Sequence, residues 1–356
     1  MLSTPETLFS SVYDYHGYFK KCLIVQLTLR CPLRCEHCIV DASPDNHNEM
    51  TTAQAVNLVK EAAQEGNVEV FVLTGGEPFI NLSRLRTVLA VAQEYNLKVA
   101  IVTSAGWATS YDQALKILQS LPPVASLSFS VDKYHLDFVK LDRVKNAIEA
   151  ALSLNIEVGA FLCLENDSDQ FLTSFKEFLG DALYSQIKIM PQYVHLTGRA
   201  LESPRLAQQI ERVSLEELPN QDCPTASAPL TMINGSVMAC CGDTISDSHN
   251  WPALKLGNLK EEDLTTILTR AEDNLLVHAL RLWGPKQLAM IAMRELGFNV
   301  FNDLYEKHNI CNICRAVVTN EEIIEALQEY LHKPEIKEQI ILGRLLKFGE
   351  GSFVTD

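Results

Sequence analysis

The stretch Leu23-Ile24-Val25-Gln26-Leu27-Thr28-Leu29-Arg30-Cys31-Pro32-Leu33-Arg34-Cys35-Glu36-His37-Cys38 decides the reading of this chain, because a short apolar run opens directly onto three cysteines. The run over Leu23–Leu29 has the length and the Ile, Val and Leu content of a buried strand. In α/β folds the side chains just past strand C-termini are the ones that gather into sites. The spacing is C-x3-C-x2-C, and three is the informative number of thiols. Structural zinc normally takes four ligands, often as paired C-x2-C halves, whereas three thiolates can hold three irons of a cubane and leave the fourth iron open to chelate a cofactor. The same triplet also fits a zinc knuckle completed by His37 or His47, or three unrelated buried thiols.

Outward from this stretch the chain alternates strand and helix. Thr51 and Gln54 have capping-box spacing, Ala55, Leu58, Val59 and Ala62 share a face, and Gly66 ends the run, which predicts a first helix. Strands follow over 68–73, 98–103, 124–131, 156–164 and 187–190, with helices over 82–95, 111–119, 142–154 and 171–179 between them. About six βα units in succession predict an α/β fold, a parallel sheet with crossover helices curled into a partial (β/α)6 barrel. After Met190 the regularity fails. The expected organisation is an N-terminal segment over 1–21, the barrel over 22–190, a linker over 191–222, a cysteine-bearing domain over 223–318 and a helical segment over 319–356. In the third part Asn234-Gly235 marks a hairpin and residues 273–282 an amphipathic helix, and 321–347 reads as C-terminal helix.

Two further signals carry chemistry. Thr74-Gly75-Gly76-Glu77-Pro78 follows the second strand. Paired glycines let backbone approach a ligand closely and a carboxylate beside them can bind an ammonium group, although Gly-Gly alone is also an ordinary turn. The second is Cys223, Cys240, Cys311 and Cys314, which by spacing alone fits a zinc ribbon.

In combination, C-x3-C-x2-C after strand one and Gly-Gly-Glu-Pro after strand two are very similar to the radical S-adenosylmethionine (SAM) superfamily. The resemblance implies that Cys31, Cys35 and Cys38 hold a [4Fe-4S] cluster, that SAM binds its open iron, and that Gly75, Gly76 and Glu77 contact the methionine amine. Ser104-Ala105-Gly106 resembles the family's Ser-Asn-Gly ribose contact, with Ala105 in place of Asn. Ser130 and Asp132 stand where the family contacts SAM ribose or substrate; ordinary loop chemistry is the alternative for each. Behind such a barrel, Cys223, Cys240, Cys311 and Cys314 resemble the twitch domain, the short form of SPASM, which implies one auxiliary [4Fe-4S] cluster.

Ten cysteines, less three and four, leave Cys22, Cys163 and Cys241. Cys-Glu-His-Cys in the first motif, Asp132-Lys133-Tyr134-His135 with Phe138-Val139, the Cys240-Cys241 pair and Asn274-Leu275-Leu276 are similar to radical SAM peptide epimerases. That likeness implies a ribosomally made peptide as substrate, Cys241 as hydrogen donor, and an electron donor such as flavodoxin or ferredoxin. Cys241 is alternatively the cluster ligand with Cys240 the spare, or both simply pack. Other readings are a twitch-type dehydrogenase, a peptide-crosslinking enzyme, or a zinc-stabilised binding protein without chemistry.

Composition sets outer bounds. With 356 residues at 47% hydrophobic, the chain can bury one large barrel and an appendage. Lys and Arg number 30 against 45 Asp and Glu, a formal charge of -15 that repels phosphate backbones, so nucleic acid is not expected as a partner. Neither a signal sequence nor a run of about eighteen apolar residues is visible. These features read as a soluble cytoplasmic protein without membrane contact, and in a reducing compartment clustered thiols more often bind metal than form disulfides. Only some twenty residues precede the first strand, so no separate peptide-recognition module is expected.

Overall fold

A computed structural model of the chain describes residues 11–246, 248–299, 301 and 303–350. It divides into two compact units, one made of residues 11–15 and Cys22–Gln209, the other of His16–Lys21 and the described residues from Ile210 on. The division falls inside the stretch expected as a linker.

The first unit contains β1 (Cys22–Thr28), α1 (Thr52–Glu65), β2 (Val70–Gly75), α2 (Leu82–Glu94), β3 (Lys98–Thr103), α3 (Tyr111–Gln119) and β4 (Ser126–Ser130). It continues with α4 (Lys133–Leu136), α5 (Leu141–Ser153), β5 (Glu157–Leu164), α6 (Phe171–Leu179), α7 (Asp181–Tyr184), β6 (Lys188–Tyr193) and α8 (Pro204–Gln209). The six strands lie side by side in chain order and every neighbouring pair is parallel. The architecture is a partial α/β barrel, as the βα rhythm predicts. Every residue of β1 is buried, which explains why all but Gln26 and Thr28 are apolar. The α1 capping box forms as expected: Gln54 N–H donates to Thr51 Oγ1 at 3.2 Å, and Thr51 N–H to Gln54 Oε1 at 2.8 Å. Ala55, Leu58, Val59 and Ala62 are its buried residues.

Two local expectations shift. The strand expected over 68–73 runs on to Gly75, so the first glycine of the Gly-Gly pair is strand rather than turn. The strand expected to stop at Met190 continues through Pro191 to Tyr193. Proline lacks an N–H for a ladder, yet β6 is the outer strand of the array and can leave one edge unpaired.

The second unit holds β7 (Arg212–Val213), β8 (Leu230–Thr231), β9 (Ser236–Met238), β10 (Lys255–Asn258), α9 (Leu264–Ala271), α10 (Leu275–Arg294), β11 (Tyr305–Glu306), α11 (Ile310–Val318), α12 (Glu321–Leu331) and α13 (Pro334–Phe348). Strands β8, β9 and β10 form an antiparallel meander, with the Asn234-Gly235 turn between β8 and β9. The helix expected over 273–282 passes through a kink at Gly284-Pro285 and extends to Arg294. The C-terminal helix expected over 321–347 is two helices, because Pro334 starts a new one after His332-Lys333. No helix among the described residues is long and apolar enough to cross a membrane.

A buried charge cluster ties this unit together. The Arg281 side chain has no exposed surface; it lies over the rings of Phe19 and Phe348 and pairs with Glu350 at 2.5 Å. His278 Nδ1 accepts from Arg281 Nη1 at 3.1 Å and its Nε2–H donates to Glu272 O at 2.8 Å, which fixes a neutral imidazole. Burial first, then the Arg344 and Arg281 charges, push His278 down to about 3. Its folded pKa lies below the unfolded value of about 6.5, so the stability it contributes is complete above that pH and is lost as the pH falls. Between pH 7 and 5 the melting temperature of His278→Gln is therefore expected to fall less than that of the wild type. Equal slopes for the two proteins in thermal melts would contradict this.

Candidate active site

The cysteine loop leaves β1 and is held by backbone ladders: Leu29 N–H donates to Asn48 O at 2.8 Å, and Cys31 N–H to Ser43 O at 3.1 Å. Cys31 and Cys35 are buried and Cys38 is half-buried. Cys35 and Cys38 lie close enough to Cys31, and Cys35 to Cys38, for their charges to be felt there. Burial, with smaller contributions from Glu77, Cys35 and Cys38, pushes Cys31 up to about 12. Burial also raises Cys38, against the pull of backbone N–H groups and of Arg199. Three crowded, desolvated thiols are costly to ionise alone, and a bound cation reverses that balance.

Gly75 and Gly76 are glycines for a steric reason. A Cβ on either would overlap the carbonyl oxygen of Thr28 or Arg30 on the segment leading into Cys31. Gly76 N–H donates to Thr28 O at 2.5 Å and Glu77 N–H to Arg30 O at 3.0 Å. The close approach read from the sequence is thus first of all between two pieces of this chain. The Glu77 carboxylate, only 4% exposed, accepts from Thr103 Oγ1 at 2.8 Å, Ser104 Oγ at 2.6 Å, Ser104 N–H at 2.9 Å and Phe79 N–H at 3.1 Å. It locks the ends of β2 and β3 together. Ala105 follows at φ 61°, a left-handed conformation that favours Gly or Asn over Ala and matches its place opposite the family's Asn.

Asp132, 1% exposed, is the hub of a second cluster. Its Oδ1 accepts from the N–H groups of Tyr134 and His135 and from His135 Nδ1 at 2.9 Å, and its Oδ2 faces His37 Nε2 at 3.3 Å. Burial pushes the carboxyl up, but the His135 and His37 charges and hydrogen bonds outweigh it and hold Asp132 far below the usual range. His37 stacks on Tyr134, and Cys163 joins the cluster beside Asp132 and Cys35. The sequence offered Asp132 but not this company; Cys-Glu-His-Cys and Asp132-x2-His135 were its only traces. Ser130 ends β4 half-buried, and no hydrogen bond among the described residues joins it to the cysteine loop.

In the second unit Cys311 and Cys314 share the first turn of α11, where i and i+3 point to one side. Burial raises both, and each also feels the charges of Cys223 and Cys240. The four cysteines thus converge on one place. Burial, then Cys240 and Cys223, push half-buried Cys241 up to about 12. A Cβ on Gly242 would stand 2.9 Å from Cys311 Sγ. Gly242→Ala is accordingly expected to cost this set its metal, about four irons per chain on the cluster reading, while the first set keeps its own. Iron analysis after anaerobic reconstitution checks it, and full iron content in the variant would contradict it.

Residues 25–174 match the family model described as the Radical SAM superfamily. The chain carries a radical SAM domain. It is 24% identical over 317 residues to the putative peptide biosynthesis protein YydG of Bacillus subtilis (strain 168), covering 88% of this chain and 97% of YydG. Among solved structures it is similar to BtrN in complex with AdoMet and 2-DOIA, with a TM-score of 0.43 at 12% identity over 76% of this chain and 91% of BtrN. It is also similar to Streptococcus suis SuiB bound to S-adenosylmethionine, with a TM-score of 0.42 at 15% identity over 71% of this chain and 66% of SuiB.

The matched span of the radical SAM domain ends within α6, but its cysteine loop is gripped from beyond that point. Arg199 Nη1 donates to Cys35 O at 2.7 Å, and Glu36 accepts from Ser203 Oγ and Arg205 Nη2, each at 2.5 Å. Arg205 also pairs with Glu165, which accepts from Tyr134 Oη at 2.6 Å. Arg199, Ser203 and Arg205 were not singled out in the sequence, because they fall in the stretch expected as a linker.

Proposed function

We propose that this chain is a radical SAM enzyme of peptide maturation that inverts an L-residue of a ribosomally made peptide to its D form. One observation carries the reading: two buried thiols and a half-buried one stand together on the loop after β1 in a radical SAM domain, beside a Gly-Gly-Glu segment packed against that loop. The relationship to YydG, a putative peptide biosynthesis protein, supports a peptide as substrate.

Cys31, Cys35 and Cys38 would hold a [4Fe-4S] cluster whose open iron takes SAM, and Cys223, Cys240, Cys311 and Cys314 an auxiliary [4Fe-4S] cluster. When bound, cluster and SAM supply a 5'-deoxyadenosyl radical able to remove a peptide α-hydrogen. The backbone of Gly75, Gly76 and Glu77 would receive the methionine amine, while the Glu77 carboxylate keeps Ser104 in place for the ribose side. Asp132, with Ser130 at the strand end, would line the ribose or substrate side of the same mouth. Cys241 would return a hydrogen atom to the opposite face of the peptide radical. Its sulfur then needs an electron and a proton, the electron coming from a reductant of the flavodoxin or ferredoxin class. Overall the peptide is neither oxidised nor reduced.

The test is to incubate anaerobically reconstituted protein with reductant, SAM and candidate precursor peptides, sought first among short reading frames beside its gene. Chiral amino-acid analysis is expected to find a D-residue in a peptide of unchanged mass. A crosslinked or oxidised peptide with only L-residues would replace epimerisation by the crosslinking or dehydrogenase reading.

A further inference from the structure

The cysteine loop from Cys35 to Ala42 turns its carbonyl groups inward onto one guanidinium. Arg199 Nη1 donates to Cys35 O at 2.7 Å, and its Nη2 donates to Ala42 O at 2.5 Å and pairs with Asp41 Oδ1 at 2.7 Å. The backbone N–H of the same residue donates to Cys38 O at 3.0 Å. The Arg199 side chain is only 10% exposed. Asp41, a non-glycine residue, sits at φ 50°, so the loop adopts a conformation it would not favour unaided. Gly198 packs so tightly that a Cβ there would overlap the carbonyls of Ile39 and Cys38.

We propose that Arg199 is a positioning residue: it spans the two ends of the cysteine loop and sets Cys35 and Cys38 in the geometry three-thiolate iron binding needs before iron arrives. The proposal rests on the reading of Cys31, Cys35 and Cys38 as cluster ligands. A planar fork suits this task because two separated carbonyls and a carboxylate must be met at once; a lysine ammonium is a point charge and cannot span them in the same way. Arg199 approaches the loop through backbone oxygens and the Asp41 carboxylate, so it occupies none of the three thiols. Partners that hold metal ligands in place typically govern affinity by about 10–100-fold.

The full-length wild type, Arg199→Lys and Arg199→Gln are reconstituted anaerobically, then compared by iron content and by the electron paramagnetic resonance of the reduced protein with and without SAM. Arg199→Gln is expected to lose the SAM-responsive signal and about four irons per chain, with the signal of the second cysteine set unchanged. Arg199→Lys should recover part of the iron with an altered response to SAM. Wild-type occupancy and an unchanged SAM response in Arg199→Gln would overturn the proposal. Should that variant fail to fold, hydrogen exchange on the cluster-free wild type decides: amides 35–42 should be protected comparably to β1 and β2, and exchange at the rate of an exposed loop would overturn the clasp. A wild type that binds iron only at the second set would instead overturn the ligand assignment, and the proposal with it.

Discussion

Changing Cys31, Cys35 and Cys38 together to Ala is expected to abolish 5'-deoxyadenosine formation while leaving about four irons bound per chain. The three thiols belong to one loop after β1, and no other group of three cysteines lies in the first unit, where the remaining thiols are Cys22 and Cys163. On the proposed reading the second set should keep iron, because its proposed ligands come from Cys223, the β9–β10 connection and α11, none of which belongs to the first loop. Iron analysis and product chromatography read the two halves separately. Deoxyadenosine at the wild-type level would remove the basis for the ligand assignment, and a variant that binds zinc but no iron would turn the second set into a zinc site.

The other large effect is expected at Cys241. Cys241→Ala should still form deoxyadenosine and still activate the peptide, yet yield little D-residue product, because the carbon radical has lost its hydrogen source. Uncoupled or cleaved peptide should accumulate instead. The substitution leaves Cys223, Cys240, Cys311 and Cys314 unchanged, so iron held by the proposed auxiliary ligands should remain. Unchanged inversion in this variant would move the donor role elsewhere, with Cys163 at the end of β5 the next thiol to test.

Much of the first unit is legible in the sequence for a physical reason. Strands buried on both faces are mostly apolar, as in β1, and helices between them announce themselves by caps, as Thr51 and Gln54 do. Cysteine spacing is also local, so the loop after β1 can be read directly. Contacts between distant segments leave weaker marks. Arg199 meets Cys35 across 164 positions and Arg205 meets Glu36 across 169, and a run lacking strand or helix rhythm reads as a linker even where it clasps a site. Glu77 shows the converse: its presence is legible, but its four hydrogen-bond donors on three residues emerge only once β2 and β3 are side by side. In the second unit Cys311 and Cys314 were visible as a pair, whereas their approach to Cys223 and Cys240 depends on short strands that carry little periodicity.

The most direct test of the proposed inversion is to run the wild-type reaction with the precursor peptide in deuterated water and locate any deuterium by mass spectrometry. A thiol exchanges its hydrogen with solvent, whereas a peptide α C–H does not. The account predicts a single deuterium on the α-carbon of the inverted residue and nowhere else. A product lighter by two hydrogens with no deuterium gained would contradict it and assign the chain to oxidative chemistry.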